Sequence, residues 1–146
     1  MGAKKALILE DTAANRMFFE RLLMQAGFEV TGAEKGKEAL EKVQAMGELH
    51  LAILDMEIPD ITGLEMTHRL RQLFPNCCIV VATMHDERSL MQSAFNKGCD
   101  VFLVKPHGFM DLFKRLTTEG SEGLHQTRPL IIDQYGPRSF QLAASK

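Results

Sequence analysis

The stretch Leu51-Ala52-Ile53-Leu54-Asp55 places four apolar residues directly before one carboxylate. A short continuous apolar run bounded by polar residues is typical of a strand buried on both faces, as in parallel sheets. In open α/β folds, ligands bind at the carboxyl ends of such strands. We therefore expect Asp55 to be the reacting residue, with the rest of the chain placing other polar groups around it.

Three further apolar tetrads follow the same pattern, and each ends at a polar residue. They are residues 6–9 before Glu10, residues 79–82 before Thr83, and residues 101–104 before Lys105. This recurrence indicates buried strands that deliver polar groups to one end of a sheet.

Helical periodicity separates these strands and predicts helices over residues 12–26, 37–46, 62–74, 87–97 and 109–116. Residues 28–31 alternate apolar and polar, which is typical of an edge strand with one solvated face. The βα alternation implies an α/β three-layer sandwich around a doubly wound five-stranded parallel sheet. With the alternating strand at an edge, the flavodoxin-like order 2-1-3-4-5 brings Glu10, Asp11 and Asp55 into one crevice.

Composition narrows the functional classes. A chain of 146 residues favours one domain, and a net charge of −2 with mixed signs argues against direct nucleic-acid binding. No apolar run approaches the roughly 20 residues that a membrane helix needs, so we expect no membrane insertion. Cys77, Cys78 and Cys99 have neither disulfide nor metal-site spacing, and they fit reduced thiols in a cytoplasmic protein.

The pattern changes from about Thr117. Residues 117–123 are predicted to be a linker, and the tail that follows is too short for a second domain. We expect a domain over residues 1–118, with residues 119–146 forming a linker and tail and no output domain. The apolar residues 130–132 could dock on the domain, bind a partner or stay mobile, and we rank docking first because such a run is costly to leave in water.

Carboxylates that converge at strand ends repel one another unless a cation holds them. Oxygen ligands without imidazole or thiolate favour Mg²⁺, or Mn²⁺, over zinc. We expect Asp11 and Asp55 to bind the metal directly, Glu10 through water, and Glu57 through its backbone carbonyl.

Phosphoryl transfer to an aspartate needs a nucleophile, a metal, a cation and a hydrogen-bond donor. Asp55 can supply the nucleophile, Lys105 the cation and Thr83 the donor hydroxyl.

These residues resemble the response regulator receiver domains of two-component phosphorelays. The resemblance runs from about residue 5 to 116, and its pieces are Leu9-Glu10-Asp11, residues 54–63, Ala82-Thr83 and Lys105-Pro106. It implies that Asp55 accepts a phosphoryl group from a sensor histidine kinase or a histidine phosphotransfer protein. It also implies Mg²⁺ binding by Glu10 and Asp11, phosphoryl contacts from Thr83 and Lys105, Phe102 as the switch aromatic, and a cis Lys105–Pro106 bond.

On this resemblance, Thr83 moves to bond the phosphoryl group and Phe102 turns into the vacated space. The face formed by helix 4, strand 5 and helix 5 then changes shape for a downstream protein. The residues expected on that face are His85, Asp86, Met91, Phe95 and His107.

Three residues depart from the family pattern. Met84 stands where a small residue is usual, Glu57 lies two residues after the nucleophile, and His107 stands where an apolar residue is common. The first two lead us to expect slow phosphoryl turnover.

We therefore expect a bacterial, cytoplasmic signalling protein that is not an enzyme, apart from slow self-catalysed phosphotransfer and dephosphorylation. Two alternatives to this interpretation remain. One is a Mg²⁺-dependent phosphatase with an aspartate nucleophile, which wants a second aspartate where Glu57 stands. The other is a pseudo-receiver that is never phosphorylated and acts only as an interaction module, against which the complete set of site residues argues.

Overall fold

The computed structural model describes residues 3–105, 108–126 and 128–142. Its elements are β1 (Lys5–Leu9), α1 (Ala13–Gln25), β2 (Glu29–Ala33), α2 (Gly36–Met46), β3 (Leu51–Asp55), α3 (Gly63–Leu73), β4 (Cys78–Thr83), α4 (Arg88–Asn96), β5 (Val101–Val104), α5 (Phe109–Gln126), β6 (Leu130–Asp133) and β7 (Gly136–Ser139). Helices α1 to α4 begin and end within one residue of the predicted ranges.

The strands form one sheet in the order β2-β1-β3-β4-β5-β6-β7. The predicted core order 2-1-3-4-5 is confirmed, and β2 lies at one edge of the sheet, where most of its residues are only partly buried. β3 and β4 are buried along their whole length, as continuous apolar runs predict for central parallel strands.

Helices cover both faces of the sheet and complete the predicted three layers. α1 and α5 pack on one face through Phe19, Leu23 and Leu112, which belong to the same buried cluster as Ile8 and Ile53. Buried side chains of α2, α3 and α4 cover the other face.

The prediction of five strands is wrong, because the tail adds two more. β6 pairs in parallel with β5, with Phe102 opposite Ile131, and β7 returns antiparallel to β6. Docking of the apolar run 130–132 on the domain is therefore confirmed. Burial of Leu130, Ile131 and Ile132 supplies the driving force.

The predicted linker over residues 117–123 is also wrong, since α5 continues through it to Gln126. A kink at Gly120, with φ 75° and ψ 171°, interrupts the helical backbone. Leu116 and Leu124 are both buried and continue the apolar stripe of α5 across the kink. A parallel β6 beside β5 requires a long crossover, and the extended α5 provides it.

A buried carboxylate ties this extension to the domain. Asp100 has no solvent exposure, and its oxygens accept hydrogen bonds from Arg71 Nη2 at 2.6 Å and from the Ile79 amide at 2.8 Å. His125 Nδ1, near the end of α5, lies 3.0 Å from the other oxygen, and Arg128 Nε lies 3.5 Å from it. The chain that leads into β6 is thus anchored to Asp100 at both His125 and Arg128.

Cys77, Cys78 and Cys99 are buried free thiols, as predicted. Burial raises the pKa of Cys77 to about 12, so its thiol is protonated and unreactive at neutral pH. Among the described residues, no helix has the length and apolar character to cross a membrane.

Candidate functional site

Four of the predicted site residues meet at one edge of the sheet. β1, β3, β4 and β5 are neighbouring parallel strands, and their carboxyl ends place Glu10, Asp55, Thr83 and Lys105 side by side. The strand register determines how far along the sheet each residue lies, with Asp55 opposite Ala82 and Thr83 opposite Val104.

Glu10, Asp11 and Asp55 form the predicted acidic cluster, in which one oxygen of each carboxylate lies within 4.8 Å of the others. Asp11 is exposed, whereas Glu10 and Asp55 are buried. Burial raises the pKa of the Glu10 carboxyl, and the nearby Asp55 adds to the rise against the opposing effects of the Thr12 amide and Lys105. An all-oxygen donor set of this kind fits a hard divalent cation.

Lys105 bridges two members of the cluster. Its Nζ lies 3.2 Å from Glu10 Oε1 and 3.3 Å from Asp55 Oδ2. The backbone amide of Lys105 donates to the Thr83 carbonyl at 2.7 Å, which fixes the point where the side chain leaves β5. The predicted proximity of Lys105 and Asp55 is therefore present in the fold.

The loop after β3 holds the second oxygen of Asp55. The Glu57 amide donates to Asp55 Oδ1 at 3.0 Å, which brings the Glu57 backbone next to the acidic cluster. Gly63 permits this tight loop, because a Cβ at that position would lie 2.7 Å from the Met56 Cα.

Arg16 supports the cluster from α1, and the sequence reasoning missed it. Its Nη1 donates to the Glu10 carbonyl at 2.7 Å, while the Thr12 amide donates to Glu10 Oε2 at 3.1 Å. The available signal was the position of Arg16 in the sequence, one helical turn after Thr12 and shortly after Glu10 and Asp11.

Thr83 is fully buried and its hydroxyl is engaged by Glu57 rather than by Asp55. Thr83 Oγ1 donates to Glu57 Oε1 at 3.1 Å and accepts from the His85 amide at 3.2 Å. His85 Nε2 lies 3.1 Å from the same Glu57 oxygen. Glu57 and His85 thus form a polar pair beside the site, a contact that the sequence did not predict.

Phe102 is fully buried and shares a sheet face with Thr83. Val81 lies opposite Phe102 and Thr83 opposite Val104, so the side chains of these residues project to one side. The Phe102 ring centroid lies 6.5 Å from that of Phe95 on α4. Pro106 and His107 lie outside the described residues, and so do the predictions made for them.

The signalling face predicted from the sequence differs from the surface that the structure shows. β6 occupies the free edge of β5, and Met91 and Phe95 are buried, whereas His85 and Asp86 are exposed. The reason is the tail, whose apolar residues cover this side of the sheet.

Met84 is 73% exposed and stands at the rim of two clefts beside the site. A cleft of about 340 Å³ lies between α1 and the start of α5, and Phe18 and Lys105 line it with Met84. A second, of about 310 Å³, lies toward the β6–β7 turn and is lined by Met84, Lys105, Asp133 and other residues.

Known proteins share this fold. The family described as the response regulator receiver domain matches residues 6–117. The chemotaxis protein CheY of Thermotoga maritima is 30% identical over 104 residues, which are 70% of this chain and 86% of that protein. The transcriptional regulatory protein PdtaR of Mycobacterium tuberculosis is 34% identical over 115 residues, and the chain spans 53% of its length.

Solved structures agree with these sequence matches. The chemotaxis response regulator CheY4 of Vibrio cholerae superposes with a TM-score of 0.71 at 29% identity, covering 79% of this chain and 97% of that one. The part of the chain from residue 118 onward lies beyond the family match. From residue 6 to residue 117, this chain belongs to the response regulator receiver domain family of two-component signalling.

Proposed function

We propose that this protein accepts a phosphoryl group on Asp55 from a phosphohistidine of a sensor histidine kinase or a histidine phosphotransfer protein. The observation that carries the proposal is the position of Asp55, whose Oδ2 lies 3.3 Å from Lys105 Nζ within the cluster of Glu10 and Asp11. A buried carboxylate with a cation and two further acids around it is equipped to receive a phosphoryl group.

Each residue has a defined part in the transfer. An oxygen of Asp55 forms a bond to phosphorus as the P–N bond of the donor breaks. The donor imidazole carries a proton on its other nitrogen, so it keeps the electron pair of the broken bond and leaves as the neutral ring. Asp11, Asp55 and the Glu57 backbone carbonyl would hold Mg²⁺ directly and Glu10 would hold it through water, and the metal would neutralise charge on the incoming group. Lys105 contacts the phosphoryl oxygens, because its Nζ already lies beside Asp55.

Thr83 and Phe102 form the switch. Thr83 exchanges its hydrogen bond to Glu57 for one to a phosphoryl oxygen, and Phe102 shifts toward Thr83 on their shared face of the sheet. The result is read by a downstream protein through protein contact rather than through direct nucleic-acid binding. We assign the receiver to residues 1–118 and treat residues 119–146 as a C-terminal extension of it.

The setting we propose is a bacterial phosphorelay in the cytoplasm, which the buried free thiols support. The protein is then a phosphoacceptor, with slow self-catalysed phosphotransfer and dephosphorylation as its chemistry.

The direct test is phosphorylation of the purified chain by a small acyl phosphate donor with and without Mg²⁺. We expect a Mg²⁺-dependent, hydroxylamine-sensitive mass increase that is lost in Asp55→Asn and retained in the matched control Asp86→Asn, an exposed aspartate of the same region. Modification that persists in Asp55→Asn would refute the assignment of the acceptor.

The same preparation separates the two alternatives. Steady turnover of an aryl phosphate ester would favour the phosphatase, with Glu57 in the position of its acid. A chain that acquires no acyl phosphate under any donor would be a pseudo-receiver.

A further inference from the structure

The segment formed by residues 130–142 lies outside the family match yet packs against its β5 edge and against α4. β6 pairs with β5 from Leu130 opposite Val101 to Ile132 opposite Leu103, which turns β5 from an edge strand into an interior one. We call this segment the C-terminal cover.

The cover continues beyond β7 onto α4. Phe140 is 4% exposed, and its ring centroid lies 5.0 Å from that of Phe95. The Arg88 guanidinium lies 4.6 Å from the Phe140 ring centroid, and Arg88 Nη2 donates to the Gln141 carbonyl at 2.9 Å. An aromatic side chain and the next carbonyl are therefore recognised together by one helix.

The cover shares its packing with the proposed switch. Thr83 lies opposite Val104 and Phe102 lies opposite Ile131, so these four side chains project from the same face of the sheet. Val104, Phe102, Ile131 and Phe140 belong to one buried cluster. Phe102 thus stands between the strand of Thr83 and the cover, and a shift of its ring toward Thr83 removes packing from the cluster to which Phe140 belongs.

The turn between β6 and β7 also lies beside the site. Asp133 is buried and accepts from the Tyr135 amide at 2.9 Å and from Arg138 Nη2 at 2.7 Å. Asp133, Arg138 and Lys105 line the same cleft. A phosphoryl group, which adds about −1.5 to −2 charges at pH 7, competes with this turn for its cations and repels its buried carboxylate.

We propose that the C-terminal cover occupies the α4–β5 surface of its own chain and that phosphorylation of Asp55 loosens it. The surface then accepts a protein partner that places an aromatic side chain between Arg88 and Phe95, as Phe140 does in the covered state. This inference rests on the proposed function, because the phosphoryl group is what changes Thr83, Lys105 and Phe102.

The test is amide hydrogen exchange of the full chain, followed by mass spectrometry, with and without beryllofluoride and Mg²⁺ as a stable substitute for the phosphoryl group. Loading is measured separately by fluorine NMR of the bound beryllofluoride. We expect loading to increase exchange over residues 130–140 in the wild type, whereas Asp55→Asn neither loads nor changes.

A second measurement examines the cover without any phosphoryl group. Phe140→Ala should increase exchange of the β6 and β7 amides about tenfold or more, because truncating a buried aromatic side chain costs well above the energy of a factor of ten. The matched control Tyr135→Ala removes a 79% exposed ring from the same hairpin and should have little effect. Arg88→Gln should act in the direction of Phe140→Ala while leaving the ring in place.

The outcomes separate the two proposals. If beryllofluoride binds but exchange over residues 130–140 is unchanged or reduced, the proposal that phosphorylation loosens the cover is wrong, while the phosphoacceptor role stands. Absence of loading overturns the phosphoacceptor role and this inference with it. Equal exchange in Phe140→Ala, Arg88→Gln and the wild type shows that Phe140 holds nothing in place and also overturns the cover.

Discussion

The hydroxyl of Thr83 donates to Glu57 Oε1 across 3.1 Å. The donor expected to contact a phosphoryl oxygen is therefore already bound to a carboxylate two residues after the proposed acceptor. Phosphorylation of Asp55 must break this hydrogen bond before Thr83 can serve the phosphoryl group. The same contact therefore favours the unphosphorylated state of the proposed switch.

Replacing Glu57 by asparagine should accelerate phosphorylation from a small donor by about tenfold, because hydrogen bonds to charged groups contribute about 1.5–3 kcal/mol. The change frees Thr83 and removes a negative charge from the path of an anionic donor. Initial rates of acyl phosphate formation measure it. Glu87→Gln is the matched control, since the Glu87 carboxylate lies 3.7 Å from His85 Nδ1 on an exposed loop. A rate equal to that of the wild type would contradict the interpretation of Glu57 as a competitor for Thr83.

Shortening Met84 to alanine should shorten the half-life of the acyl phosphate severalfold. The side chain is 73% exposed and lines the two clefts beside the site, where we expect it to limit the approach of water to the acyl phosphate. Decay of the phosphorylated protein after donor removal gives the half-life. Met110→Ala, at a 61% exposed methionine of α5, controls for loss of surface methionine. An unchanged decay rate in Met84→Ala would show that Met84 does not affect the lifetime of the acyl phosphate.

Glu10→Gln should stabilise the metal-free protein at neutral pH while weakening Mg²⁺ binding. The pKa of Glu10 is raised in the fold, chiefly by burial. Its stabilising contribution is therefore complete below the unfolded-state pKa and is lost as the pH rises through the folded-state pKa. The glutamine removes the penalty of a buried ionised carboxylate.

Thermal unfolding in a chelator at pH 4 and pH 7 measures the difference, which should be larger at pH 7. Glu38→Gln should act in the opposite direction, since the Lys42 hydrogen bond lowers the pKa of Glu38. A variant Glu10→Gln that is less stable than the wild type at pH 7 would refute the prediction.

Asp100→Asn should lower the free energy of unfolding by about 3 kcal/mol or more, because breaking a buried ion pair leaves a charge without its partner. Asp100 is fully buried and holds Arg71 Nη2 at 2.6 Å. Urea unfolding gives the value, and Asp86→Asn, at an exposed position, serves as the control. A loss below about 1 kcal/mol, the range of exposed pairs, would show that the network adds little.

Residues near the strand ends were predictable because the signals are local. A continuous apolar run followed by a polar residue identifies β3 and Asp55, and parallel strand order then brings Glu10 and Lys105 to them. Neither step requires knowledge of a side-chain conformation. The burial of these strands follows from their composition alone.

Other features depended on tertiary contacts that no local pattern encodes. Glu57 and Thr83 are 26 residues apart, and their hydrogen bond depends on the rotamers of both side chains. The Thr- and Gly-containing run after Leu116 is typical of a linker, yet the chain is helical on both sides of the kink at Gly120, and the buried Leu124 holds the second part against the domain. Tertiary packing overrode local propensity there.

The pairing of β6 with β5 has a practical consequence for anyone who shortens this chain. In a protein trimmed to residues 6–117, the main-chain donors and acceptors of Val101–Val104 that face β6 would lose their neighbouring strand. An exposed, wholly apolar edge strand is a template for pairing with other molecules. We expect such a fragment to aggregate at concentrations at which the full chain remains in solution.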